Sequence, residues 1–152
     1  MNRRTFLRGT LAAGTIGLAA NAGLLAPRLL LADETRATAF ESKSLDEALK
    51  AMGATPEESA DISIDAPDVA ANGATVRVKA STTLPDVSEI SFLVETNPMP
   101  LASTFVLTQG VDPVAAVVLK FGKTSNVVVL VKSGDKVYSA KKEVKVTVGG
   151  CA

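Results

Sequence analysis

The chain has 152 residues, of which 47% are hydrophobic and 21% charged, and its formal net charge is zero. It contains no histidine and one cysteine, so neither a zinc tetrad nor a nucleophile paired with histidine can be built from it. The sequence has no glycine-rich phosphate-binding loop and no alternation of aromatic and basic residues typical of nucleic-acid binding. These features argue against an independent enzyme and against a nucleic-acid partner.

The N-terminus is typical of an export signal. Residues 2–8 (NRRTFLR) follow the twin-arginine pattern, and residues 9–26 are apolar but rich in Gly, Ala and Thr. A Pro-Arg pair then interrupts the segment, which favours a cleaved signal peptide; an uncleaved membrane anchor is the alternative. Small residues place the cleavage after Ala32 or Ala39, so that the signal occupies residues 1–39. We therefore expect a periplasmic protein with no membrane attachment after cleavage.

Removal of the signal leaves about 115 residues, enough for one domain. The first 32 residues contain four basic residues and no acidic one, so the mature chain has twelve basic and sixteen acidic residues and a net charge of −4. Residues 120–152 carry seven lysines against Asp135 and Glu143. This basic segment can attract an anionic cargo or an acidic partner. Lysines that protect strand edges against aggregation are the more ordinary explanation, and the sequence alone favours it.

A short helical segment is predicted at residues 40–59. Ser44 and Glu47 have the spacing of a capping box, and Gly53 stands where a C-terminal cap is expected. Between them, apolar residues recur at helical spacing, namely Leu45, Ala48, Leu49 and Met52.

Residues 60–148 are predicted to form an immunoglobulin-like β-sandwich of about seven strands, preceded by the short helix, so the fold class is all-β. Residues 114–119 and 127–131 are almost continuously apolar. A strand of this kind needs a core or a partner that covers both faces, and the sequence leaves both possibilities open. The predicted strands begin near Ile62, Ala74, Ile90, Leu101, Val114, Val127 and Val137.

Four aspartates lie near predicted strand ends, at Asp61, Asp65, Asp68 and Asp86. Aspartate at such positions normally forms turns, because its short side chain hydrogen-bonds the local backbone. We therefore predict no catalytic residues and no metal site.

The C-terminus carries the only cysteine, Cys151, behind a Gly149-Gly150 spacer that follows the last predicted strand. Glycine has no Cβ and wide backbone freedom, so residues 149–152, which end in Ala152, are predicted to form a flexible arm. The three residues after Val148 can carry the thiol roughly 10 Å beyond the strand, far enough to enter another protein's active site. The alternative is a frayed tail with an idle cysteine.

The mature sequence resembles SoxY, the carrier subunit of the Sox system for thiosulfate oxidation. The resemblance covers essentially the whole mature chain and is most specific at its end. It is carried by Ile64-Asp65-Ala66-Pro67 with Asn72-Gly73, by residues 93–101 (LVETNPMPL), by residues 122–125 (GKTS) and by residues 142–151 (KEVKVTVGGC). This chain ends in Cys151-Ala152, where the family commonly has one or more further glycines.

The resemblance implies a sulfur carrier without catalytic machinery of its own. Sulfur intermediates, an S-thiosulfonate and a persulfide, would be attached to Cys151, and no other cofactor is implied. The expected partners are a SoxZ-type β-sandwich subunit in a heterodimer and, transiently, a Sox cytochrome, a sulfate-releasing hydrolase and a sulfane dehydrogenase.

Two other classes share part of this pattern. An exported β-sandwich binding module would have the same signal and strands but no use for a thiol on a glycine arm. A structural dimer would use Cys151 for an intermolecular disulfide, the usual role of an odd cysteine outside the cytosol.

Overall fold

The computed structural model of the protein describes residues 36–148. Within this range two short helices, α1 (residues 36–41) and α2 (Leu45–Ala51), precede nine strands. Seven strands have four residues or more, which confirms the predicted all-β fold of about seven strands behind a helical segment. The strands are β1 (Glu57–Glu58), β2 (Ile62–Asp65), β3 (Val69–Ala70), β4 (Val76–Thr82), β5 (Val87–Val94), β6 (Leu101–Val106), β7 (Val114–Leu119), β8 (Ser125–Ser133) and β9 (Lys136–Val146).

The strands form two sheets that pack face to face. The large sheet has the order β1-β9-β8-β5-β6, with β3 also paired to β9, and the small sheet has the order β2-β4-β7. Pairing is antiparallel throughout except for β1 and β3, which run parallel to β9. Both of these parallel strands have only two residues, which is too short for sequence alternation to reveal.

The two sides of the sandwich end differently. On one side, β1 and β3 pair with the outer edge of the long strand β9 near its start and near its end. On the other side, β6 ends the large sheet and β7 ends the small one, and the two strands contact each other. Neither has a second strand partner within residues 36–148.

Alternating side chains of both sheets fill the space between them. Alternate residues of β4 and β8 point inward, and Phe92 of β5 is fully buried and meets Phe105 edge to face, with ring centroids 5.9 Å apart. Phe121 is fully buried in the same core. Aliphatic side chains, valine above all, outnumber aromatic ones in this core, so they supply most of its burial energy.

The helices cover the outer face of the large sheet. Ala39 of α1 and Ala48 of α2 are fully buried against Leu93, Val128 and Leu130. The apolar run at residues 127–131 is therefore buried on both faces within one chain, and of the two possibilities left open by the sequence the central strand is the one observed.

Helix α2 begins and ends as its sequence predicts. Ser44 Oγ accepts a hydrogen bond of 3.2 Å from the Glu47 amide, while Glu47 Oε2 accepts one of 3.0 Å from the amide of Lys43, one residue before the expected Ser44. Gly53 has a φ of +61°, and the amides of Gly53 and Ala54 donate to Lys50 and Leu49 in a Schellman motif. The caps satisfy backbone groups that a seven-residue helix would otherwise leave open at both ends.

Helix α1 extends across Ala39, one of the two expected cleavage points. Three features hold this helix in place. Ala39 is buried, the Thr38 carbonyl accepts a hydrogen bond from Ser42 Oγ, and Arg36 Nη2 lies 3.1 Å from Glu89 Oε2. The rest of the predicted signal lies outside the described residues. Among helices within residues 36–148, none has the length and apolar character needed to cross a membrane.

Candidate functional site

The predicted attachment residue Cys151 and the arm residues Gly149, Gly150 and Ala152 lie outside the described residues. The structure describes the chain as far as Val148, three residues before the cysteine. The site is therefore built from the surroundings of residues 146–148, which we call the arm root.

Hydrogen bonds to residues distant in the sequence hold the arm root at the end of β9 and just beyond it. The amide of Val146 donates to Thr124 Oγ1 over 2.9 Å, and the amide of Thr147 donates to the Ala70 carbonyl over 3.1 Å. The Val148 carbonyl accepts a hydrogen bond of 2.9 Å from the amide of Gly73. The folded body thus fixes the chain up to the residue before the Gly149-Gly150 spacer.

Gly73 links the arm root to the core. It is buried, and its carbonyl accepts a hydrogen bond of 2.7 Å from the amide of Phe121, whose ring is part of the sandwich core. Asn72 Oδ1 accepts from the amide of Ala74 over 2.8 Å, which fixes the turn before β4. In the sequence, Asn72-Gly73 was notable as part of the resemblance; its role as the anchor of Val148 depends on a contact between residues distant in the chain.

A second loop is fastened to the same end of the sandwich. The Asn97 side chain donates from Nδ2 to the Lys120 carbonyl over 2.7 Å and accepts at Oδ1 from the amide of Gly122 over 3.2 Å. The amide of Thr96 donates to Ser125 Oγ over 3.1 Å. Side-chain hydrogen bonds therefore hold the loop 95–100 in place.

Several of the segments that carry the resemblance meet here, whereas Ile64 and Asp65 belong to β2 and pair with the middle of β4. The segments that meet are distant in the sequence, but the antiparallel strands bring their ends together at one end of the sandwich, which we call the arm end. It contains the Asn72-Gly73 turn, the loops 95–100 and 120–124, and the arm root.

The four aspartates do not form a site. Asp86 has a φ of +48° in the turn before β5, Asp61 accepts from Ser59 Oγ, and Asp68 pairs with Lys142 at 3.1 Å. Asp65 lies opposite Lys79 in the register of β2 and β4. No group of three or more metal-binding side chains occurs in the described part of the chain. Asp86 therefore lies in a turn as predicted, whereas Asp65 is paired within a strand and Asp68 is engaged in an ion pair.

An open groove of about 850 Å³ lies on the outer face of the small sheet. Its walls include Arg77 and Lys79 of β4 and Val118 of β7, and at one end it reaches Ala71 and Asn72 beside the arm root. No sequence pattern predicted this groove, because it depends on how the loop 66–72 lies over the sheet.

Comparison with known proteins identifies the family. The family model of the sulfur oxidation protein SoxY matches residues 48–151. The structure of the sulfur carrier protein SoxY from Chlorobium limicola f thiosulfatophilum is similar at 38% sequence identity with a TM-score of 0.63, over 69% of this chain and 97% of that one. No curated protein matches the chain significantly.

A more distant similarity concerns the fold alone. The superoxide reductase (neelaredoxin) from Ignicoccus hospitalis shares 18% identity with a TM-score of 0.51, over 68% of this chain and 92% of that one. The family model and the structure at 38% identity extend over most of the described residues and confirm the resemblance found in the sequence. The chain belongs to the SoxY family of sulfur oxidation proteins.

Proposed function

We propose that the chain carries sulfur covalently on Cys151 and presents it to several enzymes in turn. Family membership supports a carrier role in sulfur oxidation. The observation that carries the proposal is the anchored arm root: hydrogen bonds hold the chain to Val148, and the thiol follows three residues later, with a reach of roughly 10 Å. A rigid body with a short glycine arm can bring one thiol to different active sites without rearranging its fold.

The chemistry needs only the thiol from this chain. Coupling of thiosulfate to Cys151 forms the S–S bond of an S-thiosulfonate, and the thiol proton and two electrons leave, the electrons to a cytochrome. Hydrolysis then adds water to the outer sulfonate and releases sulfate, and a persulfide stays on Cys151. A sulfane dehydrogenase can oxidise the outer sulfur of the persulfide to a sulfonate, with water as the oxygen source and the electrons passed to a cytochrome. A second hydrolysis then breaks the S–S bond, releases that sulfur as sulfate and returns Cys151 to its free thiol.

The proposed location is the periplasm. The twin-arginine pattern at residues 2–8 supports export. A periplasmic site is consistent with a thiol that meets oxidised sulfur compounds outside the reducing cytosol.

The proposed constant partner is a SoxZ-type β-sandwich subunit. The adjacent edge strands β6 and β7 contain no charged residue and no proline, although these are the usual devices that prevent strands from pairing at an exposed edge. Val106, Val114 and Val118 are exposed along this side. A heterodimer that covers these edges would give both strands a partner and bury their valines.

The carrier role is tested with Cys151→Ser in a reconstituted system with the cytochrome. We expect loss of thiosulfate-dependent cytochrome reduction and no change in the unfolding midpoint, because the sequence predicts that residue 151 is part of a flexible arm. Intact mass of the native protein from thiosulfate-grown cells should show sulfur or thiosulfonate adducts. Retained cytochrome reduction by the variant would refute the carrier role. In the mass measurement, a doubled mass would indicate the disulfide-linked dimer, and a bare thiol would indicate the binding module.

The partner is tested by co-expression. We expect the mature chain alone to self-associate, and co-expression with a SoxZ-type subunit to give a one-to-one heterodimer in which Cys151 still reacts with a maleimide. A monomer that ignores the subunit at micromolar concentration would contradict the proposed partner. A heterodimer with an unreactive Cys151 would contradict the carrier role, because the thiol must reach other enzymes after the subunits have assembled.

A further inference from the structure

The two ends of the sandwich carry opposite charge. The arm-end loops contain Lys120 and Lys123 against Glu95, and Lys145 precedes the arm root. The loops at the other end, at residues 59–61, 83–86, 107–113 and 134–135, contain four aspartates, namely Asp61, Asp86, Asp112 and Asp135, and the basic residues beside them are Lys132 and Lys136 on the adjoining strand ends. The described body is therefore polarised between the end that carries the arm root and the opposite end.

The lysines of the arm end are available for another molecule. Lys120, Lys123 and Lys145 are exposed, and within the described residues their side chains make no ion pair or hydrogen bond. Glu95 is already engaged, since its Oε2 accepts a hydrogen bond of 2.7 Å from Asn126 Nδ2. Among the other described lysines, Lys136, Lys141 and Lys142 each have an acidic partner within 4 Å, whereas Lys43, Lys50, Lys79 and Lys132 have none.

The same end also exposes apolar groups. Met99 is 59% exposed at the tip of the loop 95–100, and Val148 is 63% exposed at the arm root. Methionine is common where one surface must fit several partners, because its unbranched side chain adapts to different shapes. The loop that carries Met99 is held by the hydrogen bonds of Asn97, so the surface is formed before any partner arrives.

We propose that this arm-end surface, made of Met99, Lys120, Lys123, Lys145 and Val148, docks the carrier onto enzymes whose active-site mouths are rimmed by acidic residues. The inference deepens the proposed function and rests on it. Lysines around the arm root would attract an acidic rim, and the four aspartates at the far end would disfavour the reversed approach. Since the thiol reaches roughly 10 Å beyond Val148, close to the Debye length of about 8 Å at physiological ionic strength, the same charges act while the arm enters the channel.

The test is steady-state turnover of the loaded carrier by the sulfate-releasing hydrolase. The double variant Lys120→Glu with Lys123→Glu should lower kcat/KM about tenfold at low salt with kcat nearly unchanged, because rim charges act mainly on association. The difference from the native carrier should shrink at high salt. The control, Lys132→Glu with Lys136→Glu, makes the same change of net charge at the far end. It also removes the exposed ion pair of Lys136 with Glu57, which contributes little to stability, and it should leave kcat/KM within about twofold.

Three outcomes would decide against the docking surface. Equal losses in both double variants would mean that only net charge matters, and unchanged kcat/KM in the first would mean that the lysines do not contact the enzyme. Dissociation of the SoxZ-type subunit by the first variant would assign the surface to the subunit interface. If the hydrolase does not act on the native loaded carrier, the proposed function itself fails. Equal maleimide rates for Cys151 in all forms would show that the arm is intact.

Discussion

The two apolar runs have similar sequences but opposite surroundings. Strand β8 lies between β5 and β9; Val129 faces the sandwich core and Leu130 lies beneath the helices, so both are buried. Strand β7 ends the small sheet, and its outward side chains Val114 and Val118 are 43% and 54% exposed. Apolar composition therefore indicates a strand, whereas its position in the sheet decides whether its outer face is covered.

The cover of β8 comes from a segment far away in the sequence. Helices α1 and α2 place Ala39 and Ala48 against the large sheet, and no equivalent segment within residues 36–148 covers the outer face of β7. The difference separates residues that stabilise the monomer from residues that are free to bind another subunit. Three changes test this distinction, in order of decreasing effect on stability.

The largest loss of stability is expected from a substitution in the large sheet beneath the helices. Leu130→Ala leaves a cavity between the large sheet and the helices, and we expect it to lower the free energy of unfolding by about 2–4 kcal/mol. Val118→Ala on β7 serves as the control and should change it by no more than about 0.5 kcal/mol. Urea unfolding followed by circular dichroism measures both. Similar losses in the two variants would show that β7 is covered as completely as β8.

A smaller loss of stability is expected when the mature chain begins later and lacks part of α1. A chain that begins at Phe40 lacks Ala39 and Arg36, and should be less stable than one that begins at Asp33 by roughly 1–2 kcal/mol, because the outer face of the large sheet loses apolar cover. We therefore expect cleavage after Ala32, and the intact mass of the exported protein reports it. A mass that corresponds to cleavage after Ala39, with equal stability of the two forms, would contradict this role of α1.

The smallest effect on stability, but a clear effect on association, is expected on β7. Val114→Lys with Val118→Lys should change the free energy of unfolding by no more than about 0.5 kcal/mol per site, since both side chains are exposed. It should abolish self-association and weaken the SoxZ-type heterodimer, because charge on an edge strand opposes pairing. Sedimentation at micromolar concentration checks this. Ser63→Lys, on the outer face of β2 in the same sheet, is the control. An equal loss of association in the β7 variant and in this control would contradict a specific role of the β7 edge.

Much of the local structure could be predicted because it depends on neighbours in the sequence. The caps at Ser44 and Gly53 and the turn at Gly134, with a φ of +56°, lie where the residue types require them. The strands β1 and β3 could not be predicted, because two residues carry no periodicity and their pairing to β9 depends on the rest of the sheet. Helix α1 was not predicted either: the sequence around Ala39 was interpreted as a cleavage site.

The features of the candidate site also divide into those that the sequence predicts and those that depend on the fold. The sequence alone identified Cys151, because a single thiol behind two glycines is a local pattern, and these residues remain predictions. It did not reveal that Gly73 anchors Val148 or that Asn97 joins two loops at the arm end.

The sequence by itself thus determined the family, the order of the main strands and the position of the thiol, because each is encoded in residue types and short spacings. The tertiary structure decided which apolar run is central, what covers it, and which distant segments surround the arm root. Those features depend on pairing between residues separated by tens of positions: Val148 meets Gly73, and Asn97 meets Lys120 and Gly122, only after both sheets have formed. The polarity between the lysines of the arm end and the aspartates opposite has the same origin, since antiparallel strands return alternate loops to the same end.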